Sequence, residues 1–177
     1  MEIKITILKP FFENPNENFQ IRELSRLLKI NHITTRKYLI KLIKDGLIKR
    51  EKGKPYDYFK AEINKKFLNL KLFFNLEKIR ESGLIEQIEK DYDYPIVILF
   101  GSYATATDDS DSDIDLFILT EIKKEINYAK FEDKLNRKIT MHFFSKEKFN
   151  LAKNKNPDLL NSILNGIVLS GKLEVFK

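Results

Sequence analysis

The sequence predicts an α+β fold in two parts, a basic helical front and a back built on a small β-sheet. Three observations predict it. The first is charge: residues 1–60 carry 14 Lys/Arg against 7 Asp/Glu, residues 61–90 carry 6 against 5, and residues 91–177 carry 12 against 14. The second is a pair of short amphipathic helical patterns followed by two β-rich runs, between residues 20 and 62. The third is "VILFGSYATATDDSDSDIDLFIL", residues 97–119, in which five aspartates fall within eight positions between two apolar runs.

The 177 residues, 42% hydrophobic with 14 Phe, are enough to form real cores in one ordinary or two small domains. No apolar run approaches the roughly 20 residues that span a bilayer, and the first residues lack a leader pattern, so a cytoplasmic protein without a membrane partner is expected. The chain has no cysteine, which excludes disulfides and thiolate metal sites. A bound metal must therefore be held by oxygen or by the two histidines, His32 and His142, and oxygen ligands favour a hard ion such as Mg2+.

The front begins with a helix expected over 2–12 and a Pro/Asn/Glu loop over 13–19. In "QIRELSRLLKI" the residues Ile21, Leu24, Leu27 and Leu28 recur at helical spacing. A second stripe follows in Ile33, Leu39, Ile40, Leu42 and Ile43, stopped by Gly46. Two short helices joined by a tight turn form a helix-turn-helix. The second opens with polar residues, among them His32, Thr34, Thr35, Arg36 and Lys37, at the end that would meet bases and phosphates. "LIKREKGKPYDYFKAEI" then reads as a basic hairpin. This order, carried by "ELSRLLKINHITTRKYLIKLIKDGLIKRE...YFKA", resembles the winged helix-turn-helix domains of bacterial and archaeal regulators. The resemblance implies double-stranded DNA binding, with contacts from Thr34, Thr35, Arg36, Lys37, Lys49, Arg50, Lys52 and Lys54. Winged domains also serve as protein-docking modules, and that alternative stays open. Helical spacing of Ile63, Phe67, Leu70, Phe74, Leu76 and Ile79 predicts a long linking helix that breaks near Ser82-Gly83. The expected division is a winged domain over 1–62, a helical linker over 63–92 and a second domain over 93–177. A homodimer is expected because such regulators meet palindromic sites as dimers.

In the back, Ile96–Phe100 reads as a strand buried on both faces that exits into Gly101-Ser102. Gly101 lets a ligand approach the backbone closely, and Ser102 offers a hydroxyl and an N–H, so the corner suits a phosphate. "DIDLFIL" is a second strand whose alternation puts Asp113 and Asp115 on one face. Carboxylates two positions apart sit about 7 Å apart, and their repulsion at an effective dielectric near 20 is roughly 2 kcal/mol. A purely structural strand has no reason to carry that cost, whereas bound Mg2+ bridging to a nucleoside triphosphate reverses its sign. Asp108, Asp109 and Asp111 read as a solvated acidic loop. A calcium loop of the EF-hand type is excluded, since a register starting at Asp109 puts Ile114 where Gly is required and Thr120 where Glu is required.

Gly101-Ser102, ten intervening residues and Asp113-Ile114-Asp115 resemble the signature of the DNA polymerase β-type nucleotidyltransferase superfamily, in the compact form of its minimal members. The resemblance implies a small mixed sheet with helices on one side. It also implies triphosphate binding at Gly101 and Ser102, and two Mg2+ ions on Asp113 and Asp115 as the catalytic pair. The implied reaction transfers a nucleotide, most readily from ATP, to an acceptor hydroxyl. Compact relatives act as antitoxins that modify a partner toxin, so a protein acceptor is one implied partner. Two departures stand out. The stretch that matches the strand of the third carboxylate, "NRKITMHFF", offers Thr140, His142 and Phe144 on one face, with His142 as a substitute base. Thr105 stands where many relatives carry an arginine. The alternative reading is a DNA-binding transcriptional regulator whose back domain senses nucleotide without turnover. The remaining segments predict a helix over 121–138 with Ile126, Ala129, Phe131 and Leu135, a strand over 138–144, two further helices, and a closing β element in "GIVLSG" and "LEVF". Tyr103 and Tyr128 read as packing residues.

Overall fold

The computed structural model describes residues 2–174, which divide between Lys71 and Leu72 into two compact units. The first unit holds α1 (Glu2–Glu13), α2 (Ile21–Leu28), α3 (His32–Lys44) and an antiparallel hairpin of β1 (Ile48–Glu51) and β2 (Tyr58–Ala61). Helix α4 (Lys65–Ser82) begins in this unit, where Phe67 packs on Phe12 with ring centroids 5.2 Å apart. Lys29, in a left-handed conformation, ends α2. Asn31 caps α3, its Oδ1 accepting from the Thr34 backbone N–H at 2.8 Å. Gly46, at φ +70°, turns the chain from α3 into the hairpin. The core gathers Ile7, Leu8, Phe11, Phe12, Phe19, Leu24, Leu39, Leu42, Leu47 and Phe59.

The apolar stripes expected on α2 and α3 are narrower than the spacing suggested. Leu24, Leu39 and Leu42 are buried, but Leu27, Ile33 and Ile40 are exposed, at 59%, 82% and 58% of their surface. Thr35 completes the buried face of α3 instead. Its hydroxyl donates to the Asn31 carbonyl at 3.0 Å and lies 3.1 Å from the Ser25 hydroxyl, so a small polar side chain with satisfied bonds holds α3 against α2.

The second unit is built on a four-stranded mixed sheet. Its strands are β3 (Ile96–Phe100), β4 (Ile114–Leu119), β5 (Ile139–Phe144) and β6 (Ile167–Ser170), in the order β5-β4-β3-β6. Strands β4 and β5 are parallel, and the other neighbours are antiparallel. Helix α4 ends at Ser82, where Gly83 at φ +80° makes the expected break before α5 (Leu84–Asp91). The Lys134 ammonium caps the freed carbonyls of Glu81 and Ser82 at 2.7 and 2.9 Å. Ile79, Leu84, Ile85 and Ile88 pack with Phe131 and Leu135 of α7 (Ala129–Leu135) on one sheet face, against Val97, Leu99, Ile114, Leu116 and Ile118. The alternate residues Ile98, Phe100, Phe117 and Phe144 face Phe149 of α8 (Lys146–Lys155) and Leu160 and Ile163 of α9 (Pro157–Leu164). The sheet is thus covered on both faces, where helices on one side were expected. Two local expectations also change. Residues 121–128 are not helical, because the Thr120 hydroxyl accepts from Ile122 N–H and the Asn127 side chain from Ala129 N–H, which starts α7 late. Of the closing element only β6 is a strand, and the end of "LEVF" lies outside the described residues.

Phe117 is wholly buried, with its ring centroid 5.2 Å from Phe144 and 5.9 Å from Phe149. Phe117→Ala is expected to lower the stability of the second unit by about 3–5 kcal/mol, read as a drop in its urea midpoint. A midpoint unchanged within error contradicts this core.

Candidate functional site

Strand pairing builds one corner of the second unit. In the β3–β4 ladder Phe100 lies opposite Asp115, so the chain leaving β3 passes directly over that carboxylate. Gly101 makes the passage at φ +71°, and a Cβ there would stand 2.5 Å from Asp115 Oδ2. The left-handed backbone favours glycine, and a side chain here would push the Asp115 carboxylate aside. The next residues form α6 (Gly101–Thr105), which buries Tyr103 and Ala104.

Asp113 and Asp115 share the sheet face of Phe117, with β5 alongside. Thr140 Oγ1 donates to Asp113 Oδ2 at 3.3 Å, and His142 Nε2 lies 3.9 Å from Asp115 Oδ1. The His142 ring also meets the edge of Phe100, centroids 5.2 Å apart. Burial pushes the Asp115 carboxyl above the usual carboxylate range; His142 opposes the rise and Asp113 adds to it. The donor set is two hard carboxylates with one imidazole beside them, which suits a divalent cation that keeps water or phosphate in its remaining positions. Among the described residues no three acidic, histidine or cysteine side chains converge on one point, so the protein alone does not enclose such an ion.

The other aspartates of the run have separate roles. Asp108 is buried, not solvated as expected, and accepts from Asn75 Nδ2 at 2.8 Å. Asn75 also donates to the Tyr103 carbonyl at 3.2 Å, tying α4 to α6. Asp109 Oδ1 accepts from Asp111 N–H and the Ser112 hydroxyl at 3.1 and 2.9 Å, which folds the loop on itself. Asp111 is exposed.

Beside Gly101 lies an open cleft of about 320 Å³, lined by Ser102, Thr105 and Thr107 on one wall and by Ser162, Asn165 and Gly166 on the other. Ser162 and Asn165 were not singled out from the sequence, where they sit in an ordinary amphipathic segment. The signal available was Gly166, just beyond that segment: a Cβ there would lie 2.4 Å from the Leu99 carbonyl oxygen, so the α9–β6 turn rests on β3.

In the first unit, Arg36 and Lys37 on α3 and Lys52 and Lys54 in the hairpin turn are exposed. Arg50 is engaged by Asp57, its Nε donating at 2.6 Å, and this contact holds the Asp57 carboxyl below the usual range. Lys49 is 3.8 Å from Glu62. Thr34 is partly exposed, whereas Thr35 is fully buried and has no surface to offer a nucleic acid. No helix among the described residues is long and apolar enough to cross a membrane.

The family model described as Polymerase beta, Nucleotidyltransferase matches residues 82–174, a stretch that includes β3, Gly101-Ser102, Asp113, Asp115 and α9. No curated protein matches the chain. Among solved structures, one described as the crystal structure of Pseudomonas aeruginosa HmgR is 13% identical with a TM-score of 0.37. That alignment covers 57% of this chain and 41% of the other, so this chain matches less than half of that protein's length.

The raised Asp115 carboxyl has a thermodynamic consequence. The folded protein holds this proton more tightly than the unfolded chain, so stability falls as pH rises from the ordinary carboxylate value through the raised one. Without divalent metal, Asp115→Asn is expected to melt a few degrees above wild type at pH 7, with the gap closing as pH drops below the raised value. A variant that melts lower at pH 7 contradicts the electrostatic assignment.

Proposed function

The chain belongs to the polymerase beta nucleotidyltransferase family, and on that premise we propose that its second unit transfers a nucleoside monophosphate from a triphosphate, ATP foremost, to an acceptor hydroxyl. The observation that carries the reading is the close, left-handed passage of Gly101 over the Asp115 carboxylate, inside the stretch matched by the family. A bare acidic loop does not require it. Asp113 and Asp115 hold divalent metal, Mg2+ by the hardness of their oxygens, and Gly101 and Ser102 receive the triphosphate. The metal supplies charge neutralisation on the attacking and leaving oxygens. The acceptor oxygen bonds to the α-phosphorus, the bond to the bridging oxygen of the β-phosphate breaks, pyrophosphate leaves, and the hydroxyl proton passes to water. A protein, such as a toxin partner, is one acceptor class consistent with this chemistry.

The first unit we read as a winged helix-turn-helix that binds double-stranded DNA, α3 entering the major groove and the β1–β2 hairpin following the backbone. Support comes from its net positive charge and from four exposed basic side chains, Arg36, Lys37, Lys52 and Lys54. One observation favours a second reading for the whole chain. Where the resemblance leads one to expect a third carboxylate, β5 carries Thr140 and His142, which suits a regulator that binds nucleotide without turning it over.

Transfer of label from each α-labelled nucleoside triphosphate into a lysate, with Mg2+, tests the enzyme. Asp113→Ala is expected to reduce transfer by roughly 1,000-fold or more, the loss of several kcal/mol of charge stabilisation. Nucleotide binding without any transfer by the wild type selects the sensor instead. For the first unit, four phosphate contacts predict a log–log salt slope of about −3.6 for DNA affinity. A flat dependence removes DNA from the reading.

A further inference from the structure

We propose that the first unit carries a small-molecule site between α3 and the β1–β2 hairpin, and that its ligand is an aryl carboxylate, an apolar ring body with one anionic end. The inference goes beyond the nucleotidyltransferase reading of the second unit. Only its consequence for DNA rests on the reading of the first.

A cavity of about 360 Å³ lies where the start of α2, the outer side of α3 and the hairpin meet. Backbone holds its walls together: Phe19 and Phe59 exchange N–H to carbonyl bonds at 2.8 Å in both directions, which fixes the chain entering α2 against β2. The floor is apolar, with Leu39, Ile40 and Ile43 from α3 and Phe59 from the hairpin. Ile40 leaves 58% of its surface exposed, and the cavity gives that exposure a use. The Arg22 guanidinium lies over the Tyr56 ring, 5.6 Å from its centroid, and bridges α2 to the hairpin turn.

Three arginines, Arg22, Arg36 and Arg50, line this cavity against a single acid, Asp57. Arg50 stands opposite Phe59 in the hairpin ladder, so both side chains take the same face, and Asp57 already accepts from its Nε at 2.6 Å. Among the described residues Arg22 and Arg36 have no carboxylate partner, which leaves these two to take an anion. A carboxylate matches the planar fork of a guanidinium with paired N–H bonds, and a ring body covers the floor beneath it. A DNA phosphate would engage the arginines and leave the floor wet, whereas a neutral hydrophobe would cover the floor and leave the guanidinium groups unpaired. Arg36 is also assigned to DNA, so on that reading carboxylate and DNA exclude each other.

The test is calorimetric binding of phenylacetate, indole-3-acetate and 1-naphthaleneacetate to the full chain, each beside its neutral amide. At least one acid is expected to bind about tenfold or more tightly than its amide, the difference made by charge-assisted bonds. Arg22→Gln/Arg36→Gln, at two exposed positions, should remove that preference. Asp57→Asn should tighten the acid severalfold by freeing Arg50, a gain that a misfolded variant cannot give. No binding of any of the three acids, equal binding of acid and amide, or full affinity in the double variant overturns the site. At ten times its Kd the acid should weaken DNA binding about tenfold while the amide at the same concentration does not. An acid that binds without moving DNA affinity overturns the exclusion. A chain that binds the acid and no DNA keeps the site and overturns the DNA reading alone.

Discussion

The contact between the Gly101 backbone and the Asp115 carboxylate constrains the geometry of everything around it. Pairing of Phe100 with Asp115 brings the chain leaving β3 across the carboxylate, and a side chain at residue 101 would displace it. The turn at φ +71° then leads straight into α6, whose buried Tyr103 and Ala104 anchor it to the core below. Gly166 does the same work from the other side of β3, by touching the carbonyl of Leu99. Two glycines, one against Asp115 of β4 and one against Leu99 of β3, thus flank the cleft beside them. At Gly166 the contact is with backbone, which yields less than a side chain would.

The acidic run is tolerated because its charges are treated differently. Asp108 is buried against Asn75, whose amide also reaches the Tyr103 carbonyl and ties α6 to α4. Asp109 is consumed by the loop it closes. Asp113 and Asp115 are directed at a shared face, and the rise in the Asp115 carboxyl records first its burial and then the nearness of Asp113. The sheet can sustain this strain because aromatic packing of Phe117 with Phe144 and Phe149 begins immediately below the acids. The strand that carries the unfavourable pair is also the most firmly held, paired on both edges and covered on both faces.

Much of this was legible in the sequence wherever a local pattern and a local cause coincide. The β3–Gly101 corner, the face shared by Asp113 and Asp115, the break at Gly83 and the order of helices and hairpin in the first unit all follow from spacing alone. What escaped depended on distance or competition. Spacing marks Leu27, Ile33 and Ile40 as candidates for burial, but a unit of this size closes over only one narrow stripe of each helix, and Thr35 took a place in it. Side chains of Thr120 and Asn127 outbid the helix expected over 121–138 by bonding to their own backbone. Asp108 looked like its neighbours because its partner lies 33 residues away. Ser162 and Asn165 were invisible for the same reason, since the contact that aims them is a clash avoided at Gly166.

Charge balance links the two departures from the family pattern. The face opposite the acid pair carries a hydroxyl and an imidazole, so Asp113 is oriented by a neutral donor, Thr140, instead of being crowded by a third carboxylate. Two fixed negative charges repel a polyphosphate unless divalent metal balances them. On the phosphate side the cleft offers no positive charge at Thr105 or elsewhere along its walls. On the proposed reading the chain's contribution narrows to geometry: a glycine turn and two carboxylates on one sheet face, with neutral donors beside them.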